Sequence, residues 1–120
     1  MIAEIKRIVM PYKSIAIKID KNELHILMVY LNESLETSSI ETIEERTIAS
    51  VFNTLKTKLE RKWITKRDTA DSKQFKLKLD YYQWYYLQNM LKILTAKLHE
   101  NHFDRAFVIP LYIKLNKTIQ

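Results

Sequence analysis

The sequence predicts an α+β domain, mostly helical, in which two strand–helix–helix halves share a two-stranded sheet. Two short segments alternate apolar with polar residues, the period of a half-buried strand. Each ends in Asp, with Glu or Gln three positions on, the pattern that caps a helix start. The stretches behind them repeat apolar residues at helical spacing.

At the start, Ile2, Ile5 and Ile8/Val9 have helical spacing, and Pro11 would stop that helix. Residues 13–19 read as a strand, with Ile15, Ile17 and Ile19 on one face and Ser14, Ala16 and Lys18 on the other. Asp20 and Glu23 form a capping box for a helix over 21–35. Its seam is Leu24, Leu27/Met28, Leu31 and Leu35, widened by Ile26, Val29 and Tyr30. Ser38 and Glu41 predict a second box, opening a long helix over 39–63. Its inner face is Ile40, Ile43, Ile48, Val51/Phe52, Leu55, Leu59 and Trp63. Residues 65–73 are polar and read as a loop.

Residues 74–79 repeat the strand pattern, Phe75, Leu77 and Leu79 against Lys76 and Lys78. Asp80 and Gln83 then cap a helix whose seam is Trp84, Leu87, Leu91, Leu94 and Leu98, flanked by Tyr82, Tyr86, Met90 and Ile93. A last helix starts near Asn101 or Asp104 and runs through Phe107, Leu111, Leu115 and Ile119. Pro110 lies inside it and costs about 3 kcal/mol in a helix interior, so a kink, a break or a start is expected there.

The half-repeats are 13–63 and 73–120. A shift by half the length lays Ile15, Ile17, Lys18, Ile19 and Asp20 on Phe75, Leu77, Lys78, Leu79 and Asp80. It also lays Val51, Leu55 and Leu59 on Leu111, Leu115 and Ile119. A lone strand leaves its backbone unpaired, so the two strands should pair with each other. A two-fold relation between the halves makes that pairing antiparallel. Failing that, the strands would pair between two chains.

At 120 residues, the chain suits a single domain over 1–120. Its 47% hydrophobic and 28% charged content suits a packed core and argues against disorder. No apolar run approaches the roughly 20 residues that span a bilayer, and the N-terminus lacks a signal-like apolar stretch. The expected compartment is cytoplasmic. Richness in Ile, Lys and Tyr suggests an A+T-rich genome, such as that of a bacterium, a phage or a mobile element.

Cysteine and glycine are both absent. The first excludes disulfides, thiolate catalysis and thiolate-bound zinc. The second removes support for phosphate-cradling loops and nucleophile elbows. No cofactor is expected. His99 and His102, near Glu100 and Asp104, lack an evident further ligand, so no metal site is expected either. Glu41, Glu44 and Glu45 are explained by the helix dipole, as are the basic residues at that helix's far end, and no catalytic residue is assigned.

Two surfaces remain. Tyr81, Tyr82, Trp84, Tyr85 and Tyr86 cannot all face one core. The face carrying Tyr81, Tyr85, Gln88 and Lys92 is the expected contact patch for a protein partner, or for a second copy of the chain in a homodimer. The net charge of +6 raises the alternative, a nonspecific nucleic-acid-binding accessory protein. Its basic stripe would be Lys18, Arg61, Lys62, Lys66, Arg67, Lys76 and Lys78, contacting phosphates. The leading expectation is a non-enzymatic interaction or assembly protein.

Overall fold

The computed structural model describes residues 14–100 and 102–118, with the backbone alone at Thr118. The N-terminal helix expected over Ile2–Val9, and the positions Asn101 and Ile119, lie outside the described residues.

The order is β1 (Ile15–Ile19), α1 (Lys21–Thr37), α2 (Ile43–Lys66), β2 (Phe75–Leu79), α3 (Tyr81–Lys97) and α4 (Arg105–Thr118). The strands form one antiparallel sheet with Ile17 opposite Leu77. Their period of two puts Ile17, Ile19, Phe75, Leu77 and Leu79 into the core and leaves Ala16, Lys18, Lys76 and Lys78 exposed. Leu24, Leu27, Leu31, Leu55, Leu59, Leu87, Leu91, Leu111 and Leu115 close the core from the four helices. The fold is therefore α+β, with a two-stranded antiparallel sheet packed on helices.

Local chemistry starts both halves alike. Asp20 accepts from the Glu23 amide at 2.8 Å, and Glu23 accepts from the Asp20 amide at 3.0 Å. Asp80 and Gln83 repeat this at 2.8 and 3.1 Å. Four backbone donors are thus satisfied where helix ends would leave them open. One partner of each box is shielded from water: Glu23 and Gln83 are the buried polar residues among those described, while Asp20 is half-buried and Asp80 exposed.

The box expected at Ser38 and Glu41 forms instead at Thr42 and Glu45. Both pairs have the required spacing, so the sequence pattern does not choose between them. Helix α1 runs on to Thr37, with the Ser38 hydroxyl donating to the Ser34 carbonyl, and the chain between 38 and 42 is needed for the connection. Arg46 fastens that connection by donating to the carbonyls of Ile40 and Glu41. The backbone N–H of Thr42 holds the Glu45 carboxyl below its usual range. Ile40 and Ile43 consequently leave the inner face; they are 63% and 80% exposed.

Helix α2 also ends later than expected, at Lys66, and Lys62 and Lys66 of its last turns pack over the Phe75 ring at 5.7 and 5.6 Å from its centre. Helix α4 neither breaks nor begins at Pro110. The proline deprives only the Ala106 carbonyl of an amide, and both residues are exposed, so water can replace the donor. The buried residues Val108, Leu111 and Leu115, with the Trp84 indole N–H donating to the Leu115 carbonyl at 2.8 Å, hold the helix in place.

Two lysines join these helices to the sheet. Lys58 of α2 donates to the Lys78 carbonyl and to Gln83 Oε1, both at 2.8 Å. Lys114 of α4 donates to the Lys18 carbonyl and pairs with Glu23 at 3.2 Å. Each gives a strand carbonyl a partner from outside the ladder and touches the capping residue of the next helix. The buried sets Phe52, Leu55, Leu59 and Val108, Leu111, Leu115 have matching internal spacing. Lys58 and Lys114 each stand three residues after a fully buried leucine, Leu55 and Leu111.

Candidate interaction surface

The tyrosine cluster divides at the surface of α3. Tyr81, at the first helical position, is half-buried against the core. Its ring stacks on Tyr85 at 6.2 Å and lies 5.7 Å from Trp84. Tyr82 meets Tyr81 edge-on, and Tyr86 meets Tyr85 the same way. Gln88 donates to Asn116 Oδ1 at 2.6 Å and so ties α3 to α4. Of the four residues expected in the contact patch, Tyr85 and Lys92 are exposed, while Tyr81 and Gln88 are engaged within the molecule.

Tyr82 and Ile93, expected beside the buried seam, are 43% and 53% exposed. The signal that could have placed them was present: Tyr82, Tyr85, Asn89, Ile93 and Ala96 recur at three- and four-residue spacing, a second face of the same helix. Too many apolar residues on α3 competed for one seam.

Tyr85 and Ile93 border a groove of about 800 Å³. It lies where the C-terminal part of α1, the N-terminal part of α2 and the middle and end of α3 meet. Ile48, Phe52, Met90 and Leu94 give it apolar depth. Glu33 and Glu44 line it from α1 and α2, Lys92 and Lys97 from α3, and all four are exposed. None of these charges has an ion-pair partner within 4.0 Å among the described residues. Tyr30 also reaches the groove, but its hydroxyl is committed, donating to Asp104 Oδ2 at 2.6 Å. Burial, and then that bond to a carboxylate, push the Tyr30 pKa well above its ordinary value.

The basic residues assemble differently. Lys18 lies directly opposite Lys76, and Lys78 opposite Ala16, on the exposed face of the sheet. Like charges opposite one another destabilise a strand pair. Arg61, Lys62 and Lys58 line a shallow concavity of about 590 Å³ along α2, with Thr54, Thr57 and Thr65. These hydroxyls donate to carbonyls of their own helix, which leaves lysine and arginine as the donors available to an anion. Lys66 is held over Phe75, and Arg67 caps α2 while its carbonyl accepts from Lys21. Burial lowers the Lys58 pKa.

No group of three or more His, Cys, Asp or Glu side chains that could hold a metal ion occurs among the described residues. No described helix is long and apolar enough to cross a membrane. No protein family matches the chain, and neither a curated protein nor a solved structure is significantly similar to it.

Proposed function

We propose that this chain is a non-enzymatic interaction or assembly protein whose contact surface is the groove between α1, α2 and α3. The observation that carries the reading is the half-exposed pair Tyr85 and Ile93 beside an open, apolar-floored groove. Exposed aromatic and aliphatic groups next to a concavity gain most by being covered, and a rim of charges gives orientation. The test is a photo-crosslinking residue in place of Ile93, in cells expressing the chain, with the same residue at exposed Ile113 as control. Discrete adducts at 93 and not at 113, lost on Tyr85→Ala in a chain that still folds, are expected. Adducts equal at the two positions, or none at 93, refute the reading.

A second reading has its own observation. The Lys18–Lys76 pair keeps two like charges opposed at a cost in stability, beside Lys78 and the cations of α2. A nucleic-acid backbone would offset that repulsion and release counterions, with no base sequence read. Titration of labelled single- and double-stranded DNA and RNA at low and moderate salt tests it. Binding that weakens steeply with salt, and falls when Lys18, Lys76 and Lys78 are changed together to Gln, supports it; no binding at low salt refutes it.

A further inference from the structure

We infer that the occupant of the groove is a second copy of this chain, in a two-fold dimer. The inference rests on the reading of the groove as the contact surface. Its basis is the distribution of charge: Glu33 and Glu44 come from the α1 and α2 side, Lys92 and Lys97 from the α3 side, and all four lack ion-pair partners within 4.0 Å among the described residues.

A two-fold axis along the groove turns this division into self-complementarity. In such a dimer a residue on one side meets the other side of the partner, and the same contact repeats by symmetry. Each acidic side then faces a basic side, twice. A partner carrying charge of one sign would gain on one side of the groove and be repelled on the other. Shape agrees with charge. Tyr85 and Ile93 are exposed where they border the groove, and its apolar floor between the helices is the hollow that receives their counterparts. Burying this surface removes apolar area from water on both copies at once.

The experiment is sedimentation equilibrium of the full chain over a wide concentration range, at low and moderate salt. A reversible monomer–dimer equilibrium, weakened by salt, is expected. Two charge-reversal variants follow, Lys92→Glu with Lys97→Glu, and Glu33→Lys with Glu44→Lys. All four sites are exposed, so both variants should keep the parent circular dichroism spectrum. Each variant alone should dimerise about tenfold more weakly or worse, since attractive pairs become repulsive on both sides of the axis. Mixed together, one all-acidic and one all-basic groove should form a heterodimer stronger than either homodimer. A chain that stays monomeric throughout overturns the inference, as does a dimer indifferent to both reversals or a mixture that does not restore association. The crosslinking result separates the two ideas. Adducts of residue 93 to other proteins, with a monomeric chain, sink self-association and leave the groove's contact role standing. A monomer without such adducts sinks both.

Discussion

Lys58→Met tests the link between α2 and the sheet. Methionine keeps most of the unbranched stem and removes the ammonium. Two acceptors lose a donor, the Lys78 carbonyl and Gln83 Oε1, each 2.8 Å away. They do not lose equally: Gln83 Oε1 still accepts from the Asp80 amide at 3.1 Å, whereas the Lys78 carbonyl must find water. A buried acceptor left without any partner costs about 1–3 kcal/mol, whereas one that reaches water loses only the net worth of the bond, about 0.5–1.5 kcal/mol. Against this, the variant no longer holds a charge in a partly desolvated place, which reduces the net loss to about 1 kcal/mol near neutral pH. For a domain of this size that lowers Tm by about 4 °C. Because burial depresses the Lys58 pKa in the fold, the charged form costs stability at neutral pH. That cost fades as pH rises through the folded pKa towards 10.5, while the neutral amine still donates. The stability difference between parent and variant should therefore widen with rising pH. Urea denaturation at several pH values measures it, with Lys56→Met as the neighbouring control. A variant as stable as the parent at neutral pH, or a gap that does not widen, refutes the view that Lys58 secures β2.

Other expectations follow from burial and pairing. Leu55→Ala, at a fully buried site of α2, should cost about 2–5 kcal/mol in urea denaturation, while Ile43→Ala should stay within about 0.5 kcal/mol. Tyr30→Phe removes a hydrogen bond to a carboxylate and should cost about 1.5–3 kcal/mol near neutral pH. Since the fold raises the Tyr30 pKa, that contribution is complete below the ordinary value of 10.0 and is lost as pH climbs past it; thermal melts of the variant should lack this alkaline decline. Lys18→Glu replaces a repulsive cross-strand pair with an attractive one and should stabilise the chain by about 0.2–1 kcal/mol. If the basic face holds nucleic acid, the same change should weaken binding in a filter or anisotropy titration, so stability and affinity would move in opposite directions.

The sequence by itself determined the elements and their order. Alternation in the two strands, the Asp20 and Asp80 capping boxes and the leucine seams are short-range patterns. The physics that reads them, pleat, helical period and local hydrogen bonds, acts within a few residues. That the two strands pair with each other followed from the same patterns, because each had an unpaired backbone; their antiparallel sense followed only on the condition of a two-fold relation between the halves. Tertiary structure decided what local pattern left degenerate. Ser38–Glu41 and Thr42–Glu45 are equally good boxes, and the end of α1 and the anchoring of Arg46 select the second. Periodicity lays apolar residues on more than one face of α3; packing buries Trp84, Leu87 and Leu91 and leaves Tyr82 and Ile93 outside. Only the α3 side of the groove could be read from the chain, at Tyr85 and Lys92; Glu33 and Glu44 come from two other helices and share that surface only after the helices have packed. Likewise Lys58 and Lys114 look like ordinary surface lysines in sequence. Only the distance across the fold makes each one the donor to a strand carbonyl.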